Sequence, residues 1–202
     1  MKKNLFIILI ILSIIIWLNQ DKIFKPKILP ITSKTTIGIQ NIKPINIPNK
    51  YNQNDKQWRD DLLGNTNEKL GNVGCLISSV AMNLSYYQIF INPKELNKKL
   101  KNIAGYTQKG WLIWDKLEDI TQNKIQIDFP NLSHETIDNL LLKSTPVLVK
   151  ILIHKQIPHW VLIVGKKNGT YLIYDPLDST VPLSISKYNS LIYSIRILRV
   201  VH

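Results

Sequence analysis

The sequence has almost no cysteine and no arrangement of basic residues that suits nucleic acid. Cys75 is the single cysteine among 202 residues, which excludes an internal disulfide framework and any zinc site built from cysteines. The formal net charge is +12, but the lysines are scattered and form no basic stripe interleaved with aromatic residues. We therefore expect no nucleic-acid partner, no metal and no cofactor, while attraction to anionic lipid headgroups or wall polymers stays open.

Residues 1–20 predict an export signal. An apolar run over residues 5–18 follows Lys2 and Lys3. As a helix this run would rise about 21 Å, which is short of the roughly 30 Å hydrocarbon core and is typical of a signal peptide. The run lacks a small-residue cleavage site after it, and Trp17 suits a membrane interface, so we favour an uncleaved signal anchor over a cleaved signal. The two lysines would stay in the cytoplasm, which predicts an extracytoplasmic location for the remainder of a bacterial protein.

The rest of the chain divides into a tether and one domain. Residues 21–49 contain four prolines and no sustained apolar face, which predicts an extended tether, although residues 36–42 could instead pack as an edge strand. Residues 50–202 then form a single domain, because the apolar content of 45% is ample for a core.

Within this domain, helical patterns come first and strand patterns last. The predicted helices cover residues 75–87, 93–101, 111–120 and 133–143, with Leu141 and Leu142 facing inward. Asn92 and Ser133 are predicted to cap two of these helices. The predicted strands cover residues 125–129, 147–153, 160–164, 171–174 and 192–200. This order indicates an α+β fold with a largely antiparallel sheet.

Cys75 is placed as a nucleophile would be. It follows Gly74 at the first turn of a predicted helix, where unpaired amides and the helix dipole stabilise a thiolate. Gly74 keeps side-chain bulk away from the sulfur and permits an unusual backbone angle before it. A lone cysteine is also compatible with a small buried hydrophobic residue, so the other residues have to decide.

His159 and Asp175 are the candidate partners of Cys75. His159 begins an apolar strand after Pro158, whereas the other histidines lie in a cap region, a polar turn and the last position. Asp175 ends the next strand, so both side chains would lie at the same open end of a hairpin. A carboxylate beside an imidazole fixes its tautomer, and the imidazole keeps a thiol ionised. The alternatives are a histidine that closes a strand end and a simple Asp-Pro turn.

An oxyanion donor completes this papain-type order of cysteine, histidine and aspartate. Gln53 is the candidate, because it lies in a polar loop that contains aromatic residues and precedes the cysteine helix. The alternative is that it is an ordinary loop glutamine.

Four short motifs carry a resemblance to a known family over roughly residues 50–180. They are Tyr51-Asn52-Gln53-Asn54-Asp55 with Trp58, Gly74-Cys75 with Ser79 and Ala81-Met82, Pro146-Val147 with His159-Trp160-Val161-Leu162, and Asp175-Pro176. The sequence resembles the peptidase family thirty-nine-like group, which are papain-fold cysteine peptidases related to the bacteriocin-processing, double-glycine-leader peptidases.

The resemblance implies a papain-like fold and a set of catalytic roles. By it, Cys75 is the nucleophile, His159 the general base, Asp175 its orienting partner and Gln53 the oxyanion donor. Two departures speak against a double-glycine leader as substrate. The leader peptidases usually precede a transporter's membrane helices, which this sequence lacks, and their cysteine typically follows an acidic residue where this chain has Gly74.

We therefore expect an exported, monomeric thiol hydrolase that cleaves a peptide or other amide bond in a peptide or protein substrate. The alternatives are an acyl transferase or transpeptidase with the same triad, and a catalytically silent papain-fold module that binds peptide or wall polymer. No specificity pocket is recognisable in the sequence.

The hairpin between His159 and Asp175 tests this triad geometrically. Asn168-Gly169 favours a two-residue type I′ turn, which would put Asp175 opposite Leu162 and on the face away from His159. A triad therefore requires an odd-length loop or a compensating bulge, since either one shifts Asp175 opposite Val161. Of these two we predict the odd loop.

Overall fold

The protein consists of a helical part followed by an antiparallel sheet in a computed structural model that describes residues 28–31 and 40–201. The helices are α1 (Leu70–Val73), α2 (Cys75–Tyr86), α3 (Pro93–Asn102), α4 (Asp115–Ile120) and α5 (His134–Leu142), with a 3-10 helix at Ile185–Tyr188. The strands are β1 (Leu29–Pro30), β2 (Ile125–Asp128), β3 (Val147–Ile153), β4 (Ile157–Lys167), β5 (Thr170–Asp175), β6 (Asp178–Ser184), β7 (Leu191–Ile192) and β8 (Ser194–Val200). The predicted α+β class is confirmed.

Strands β2 to β6 and β8 form one six-stranded sheet in the order β2-β8-β3-β4-β5-β6, and every neighbouring pair is antiparallel. Side chains alternate between the two faces of the sheet, so each face has its own core. Leu148 and Leu162 belong to the core that α2 covers. Val149 and Val161 belong to the opposite core, which includes Ile137 of α5.

Helix α2 is the central helix of the first core. Its residues from Ile77 to Ser85 are all buried, small polar residues included. The hydroxyl of Ser79 donates a hydrogen bond of 3.0 Å to the carbonyl oxygen of Trp160 at the start of β4. This bond fixes the first turns of α2 against the strand that carries His159.

Caps and turns set the bounds of the other helices. The side chains of Asn92 and Ser133 accept hydrogen bonds from the amides of Glu95 and Thr136, as predicted. The helix predicted over residues 111–120 begins only at Asp115 (α4), because Leu112 pairs with Tyr106 in a β-bridge and the carbonyl of Trp111 accepts a hydrogen bond from the amide of Thr107.

One further prediction was wrong, and one strand was not predicted. Leu142 is exposed, although Leu141 beside it is buried as predicted. Strand β6 was also missed, since proline and serine weaken its apolar alternation.

The β4–β5 hairpin has a two-residue turn, so the predicted odd loop is wrong. Lys167 pairs with Thr170 across Asn168 and Gly169, whose φ angles of 50° and 75° suit a type I′ turn. A bulge between Ile163 and Gly165 then shifts the pairing by one residue. The compensating bulge, which was the alternative to an odd loop, therefore sets the register.

The bulge accommodates the chain that precedes the domain. The carbonyl of Val164 accepts a hydrogen bond of 2.8 Å from the amide of Ile45. A Cβ at Gly165 would lie 2.9 Å from the carbonyl oxygen of Ile42, so only glycine allows this close approach. Ile42 and Lys166 exchange backbone hydrogen bonds beyond the end of β3.

The contacts of Ile42 and Ile45 with β4 belong to residues 21–49, the segment that the sequence predicts to be a tether. Its described parts are extended, but they are packed on the domain: β1 pairs with β7, and Ile47 is fully buried in the first core. Burial of isoleucine side chains at these positions favours packing on the domain over a free tether. The predicted export signal, residues 1–20, lies outside the described residues. Among residues 28–31 and 40–201, no helix has both the length and the apolar character needed to span a membrane.

Candidate active site

Cys75 is the first residue of α2, directly after the junction between α1 and α2. The amides of a first helical turn have no acceptors within the helix and stabilise negative charge there. The backbone of Gly74 has ordinary angles, φ −80° and ψ 10°, so the expected unusual angle is absent. Glycine is needed for space instead, because a Cβ at this position would lie 2.4 Å from the carbonyl oxygen of Leu70.

His159 and Asp175 form a buried pair at one end of the sheet. Tyr174 pairs with Leu162, so Asp175 comes level with Val161 and faces the same side as His159. The distance from Nε2 of His159 to Oδ1 of Asp175 is 2.8 Å. The exposed fractions of the two residues are 3% and 0%. The sheet thus brings these two predicted residues together through the bulge in β4.

The electrostatics of this pair favour a protonated imidazole. Burial opposes the positive charge of His159, but hydrogen bonds with Asp175 and Cys75, together with their negative charges, outweigh it and raise the pKa of His159 from 6.5 to about 9. Because Nε2 faces the carboxylate, Nδ1 is the nitrogen left for the sulfur of Cys75. The arrangement therefore stabilises an imidazolium beside a thiolate.

Asp175 is held by more groups than the sequence indicated. The hydroxyl of Tyr188 donates to Oδ2, the amide of Leu177 donates to Oδ1 at 3.0 Å, and Nζ of Lys187 lies 3.2 Å from Oδ2. Burial alone would raise the pKa of Asp175, but the hydrogen bonds from His159, Tyr188 and Leu177 lower it well below its ordinary value. Asp175 thus stays ionised while it is buried.

Tyr188 and Lys187 were missed from the sequence. They lie in the 3-10 helix that follows β6, and only the return of β6 alongside β5 brings them to Asp175. The ring of Tyr188 also lies 5.7 Å from the ring of His159. No local motif marks either residue, so the sequence offered no signal for them.

Gln53 lies in a loop that is tied to both halves of the site. Its backbone amide donates to the carbonyl of Pro176, next to Asp175, at 2.8 Å. Its side-chain Nε2 donates to the carbonyl of Gly71, ahead of Cys75, also at 2.8 Å. One hydrogen of Nε2 remains for another acceptor, and the buried Oε1 has no partner among the described residues.

His134 and His154 lie away from Cys75, and His202 lies outside the described residues. His134 contacts the hydroxyl of Tyr171 at 2.9 Å on the opposite face of the sheet, and His154 is exposed in the β3–β4 turn. No cluster of three or more His, Cys, Asp or Glu side chains that could hold a metal occurs in residues 28–31 and 40–201.

Comparisons with known proteins agree with this geometry. The crystal structure of a C39-like peptidase from Bacillus anthracis is similar, with a TM-score of 0.51 and 14% identity over 80% of this chain and 98% of that chain. This likeness shows the fold, and the predicted papain-like α+β fold is confirmed. No curated protein matches the chain. The model of the Peptidase C39 family matches residues 68–198, which is most of the chain and confirms the resemblance that its motifs carry. The chain belongs to the Peptidase C39 family.

Proposed function

We propose that the protein is a cysteine peptidase in which Cys75, His159, Asp175 and Gln53 carry the reaction. The observation that carries this proposal is the position of His159, whose Nε2 lies 2.8 Å from the buried carboxylate of Asp175 and whose pKa is raised by Cys75 as well as by Asp175. A buried carboxylate, an imidazole and a thiol in that order are the parts of a nucleophilic triad.

Each residue has a defined role in the proposed reaction. The thiolate of Cys75 attacks the carbonyl carbon of the scissile amide, and the oxygen takes up negative charge. The free Nε2 hydrogen of Gln53 and the unpaired amides at the start of α2 are the donors for that oxyanion. His159 then protonates the leaving amine, which leaves an acyl group on the sulfur. His159 next removes a proton from a water molecule, which attacks the acyl group and releases the acid.

Asp175 maintains the geometry of this cycle. Its contact with Nε2 fixes the ring of His159 so that Nδ1 faces the sulfur, and its charge stabilises the imidazolium between the two proton transfers. The donors from Tyr188 and Leu177 hold the carboxylate in place during the cycle.

We further propose that residues 1–20 direct the protein out of the cytoplasm and anchor it to the membrane. This proposal rests on the apolar run after Lys2 and Lys3. The substrate would then be an extracytoplasmic peptide or protein. Fractionation of cells that produce the full chain tests it: membrane-bound protein that external protease digests is expected, and soluble cytoplasmic protein would contradict the anchor.

Labelling with a thiol-reactive acyl probe near neutral pH tests the catalytic proposal. We expect fast labelling of Cys75 in the full chain and a collapse of the rate in His159→Ala. His154→Ala is the matched control, because it removes an exposed histidine only five residues away. Slow labelling that does not depend on His159 would indicate a binding module instead of an enzyme.

A further inference from the structure

The face of the sheet that α2 covers is left partly open next to Cys75. Leu148 and Leu162 are completely buried under α2, whereas Trp160 and Arg196 on the same face are only partly buried. The carbonyl of Trp160 is bonded to Ser79, one helical turn after Cys75, so the face on which the side chain of Trp160 lies adjoins the helix that carries Cys75. The open part of the sheet therefore begins at the candidate active site.

Aromatic side chains line this open part as far as Arg196. The ring of Trp114 lies 5.7 Å from that of Trp160 and 6.4 Å from that of Phe129. The guanidinium carbon of Arg196 lies 5.6 Å from the ring centre of Trp114 and 4.4 Å from that of Phe129. We name these four residues the aromatic–arginine strip. It leads from Trp160 to Arg196 over about the length of three extended peptide residues.

Arg196 has no acidic partner among the described residues. Its Nη1 donates to the carbonyl of Ile195 at 2.6 Å, and its buried Nε has no hydrogen-bond partner in the part of the chain that the structure describes. Arg199, on the same strand, differs: its guanidinium contacts both carboxylate oxygens of Asp128, at 3.0 and 3.3 Å. Lys150, which lies on the same face and pairs with Trp160, also makes no ion pair within the described part of the chain.

A cation in this setting favours an anionic partner. Burial lowers the pKa of Arg196, because the aromatic rings remove water from its charge, although it stays protonated at neutral pH. A guanidinium presents a planar fork of donors that matches a carboxylate, and stacking on aromatic rings holds that fork in one orientation.

We propose that the aromatic–arginine strip is a substrate-binding site for an acidic side chain, Asp or Glu, about three residues from the scissile bond. The proposal rests on the proposed peptidase function and names the chemistry of its substrate. Trp160, Trp114 and Phe129 would contact the intervening residues of the peptide, and Arg196 would pair with the carboxylate.

Cleavage of matched peptide pools by the full chain tests the strip. The pools are short, otherwise uncharged peptides of mixed sequence that carry one Glu at a defined position, and their counterparts carry Gln there. We expect a preference of about tenfold to a hundredfold in kcat/KM for Glu, because Gln still offers an acceptor oxygen but lacks the negative charge that pairs with the guanidinium. Mass spectrometry of the products should locate the Glu about three residues from the cleaved bond.

Two variants test whether Arg196 causes the preference for Glu. Arg196→Gln should abolish it, so that this variant cleaves the Glu and Gln pools at equal rates. Arg199→Gln is the matched control: it removes the same charge from the same strand, but from a residue already paired with Asp128, and it should keep the preference. Cleavage without a preference for Glu, or a preference that survives Arg196→Gln, would overturn the proposal.

Binding separates a failure of the strip from a failure of the peptidase function. If the full chain cleaves neither pool, the binding of the same pools to Cys75→Ala is followed by the tryptophan fluorescence of the chain, to which Trp114 and Trp160 contribute. Tighter binding of the Glu pool that Arg196→Gln removes would support the strip without catalysis. Equal binding of both pools would overturn it.

Discussion

The charge of His159 provides the sharpest test of the site. Its pKa of about 9 lies well above the ordinary 6.5, and each unit corresponds to about 1.4 kcal/mol. The difference therefore amounts to about 3 kcal/mol in favour of the imidazolium in the folded protein. Because the pKa is raised on folding, this stabilisation is fully present below pH 6.5 and is lost as the pH rises through about 9.

Titration of the histidine ring protons by nuclear magnetic resonance measures this pKa directly. His159→Gln identifies the resonance, and His154 is an exposed reference in the same spectrum. Cys75→Ala and Asp175→Asn should each lower the pKa of His159, because each removes a hydrogen bond and a negative charge that raise it. A pKa at or below 6.5 in the unaltered protein would refute the reasoning, since burial would then outweigh both partners.

Two further measurements follow from the same value. In urea unfolding, the stability difference between the unaltered protein and His159→Gln should shrink by about 3 kcal/mol between acidic pH and a pH above 9. If the imidazolium is the acid that protonates the leaving amine, kcat/KM should fall as the pH passes about 9. A stability difference that does not change with pH would contradict the sign of the effect.

Three other substitutions probe the surroundings of the site and the opposite core. Gln53→Ala should lower kcat by about a hundredfold with KM nearly unchanged, as loss of an oxyanion donor does. Gln57→Ala, in an exposed part of the same loop, is the control. An unchanged kcat in Gln53→Ala would assign the oxyanion role to another donor. Tyr188→Phe removes a donor that lowers the pKa of Asp175, so the acidic limb of the pH–rate profile should move to higher pH and kcat/KM should fall about tenfold. Tyr193→Phe is the control and should leave the profile unchanged. If the acidic limb is the same in both variants, Tyr188 is not a positioning residue. Lys166→Met leaves Asp138 without its buried ion-pair partner at 2.7 Å and should lower the free energy of unfolding, measured in urea, by about 3–5 kcal/mol. The double variant with Asp138→Leu should recover most of that loss. Equal stability of the single variant and the unaltered protein would contradict the expected cost.

Local chemistry alone was enough to predict much of the architecture. Asn92 and Ser133 cap their helices as their side-chain oxygens allow, and Cys75 begins α2 where the helical periodicity starts. The order of helices and strands gave the fold class, because amphipathic periodicity is written in consecutive residues. The order of cysteine, histidine and aspartate also gave the residues that the structure gathers at one end of the sheet.

The geometry of the site was decided by contacts between distant parts of the chain. Asn168-Gly169 forms the turn that its sequence favours, and that turn alone would point Asp175 away from His159. The bulge between Ile163 and Gly165 shifts the register so that Asp175 faces His159. The backbone of residues 42–45, more than a hundred positions earlier in the sequence, forms hydrogen bonds with the strand at this bulge.

The partners of the triad were decided in the same way. Tyr188 reaches Asp175 only because β6 folds back along β5, and Gln53 is held by carbonyls from Gly71 and Pro176, on opposite sides of the site. Trp114 and Phe129 pack around Arg196, which has no acidic partner within residues 28–31 and 40–201. Such pairings depend on which strands become neighbours, and a pattern of consecutive residues carries no information about that.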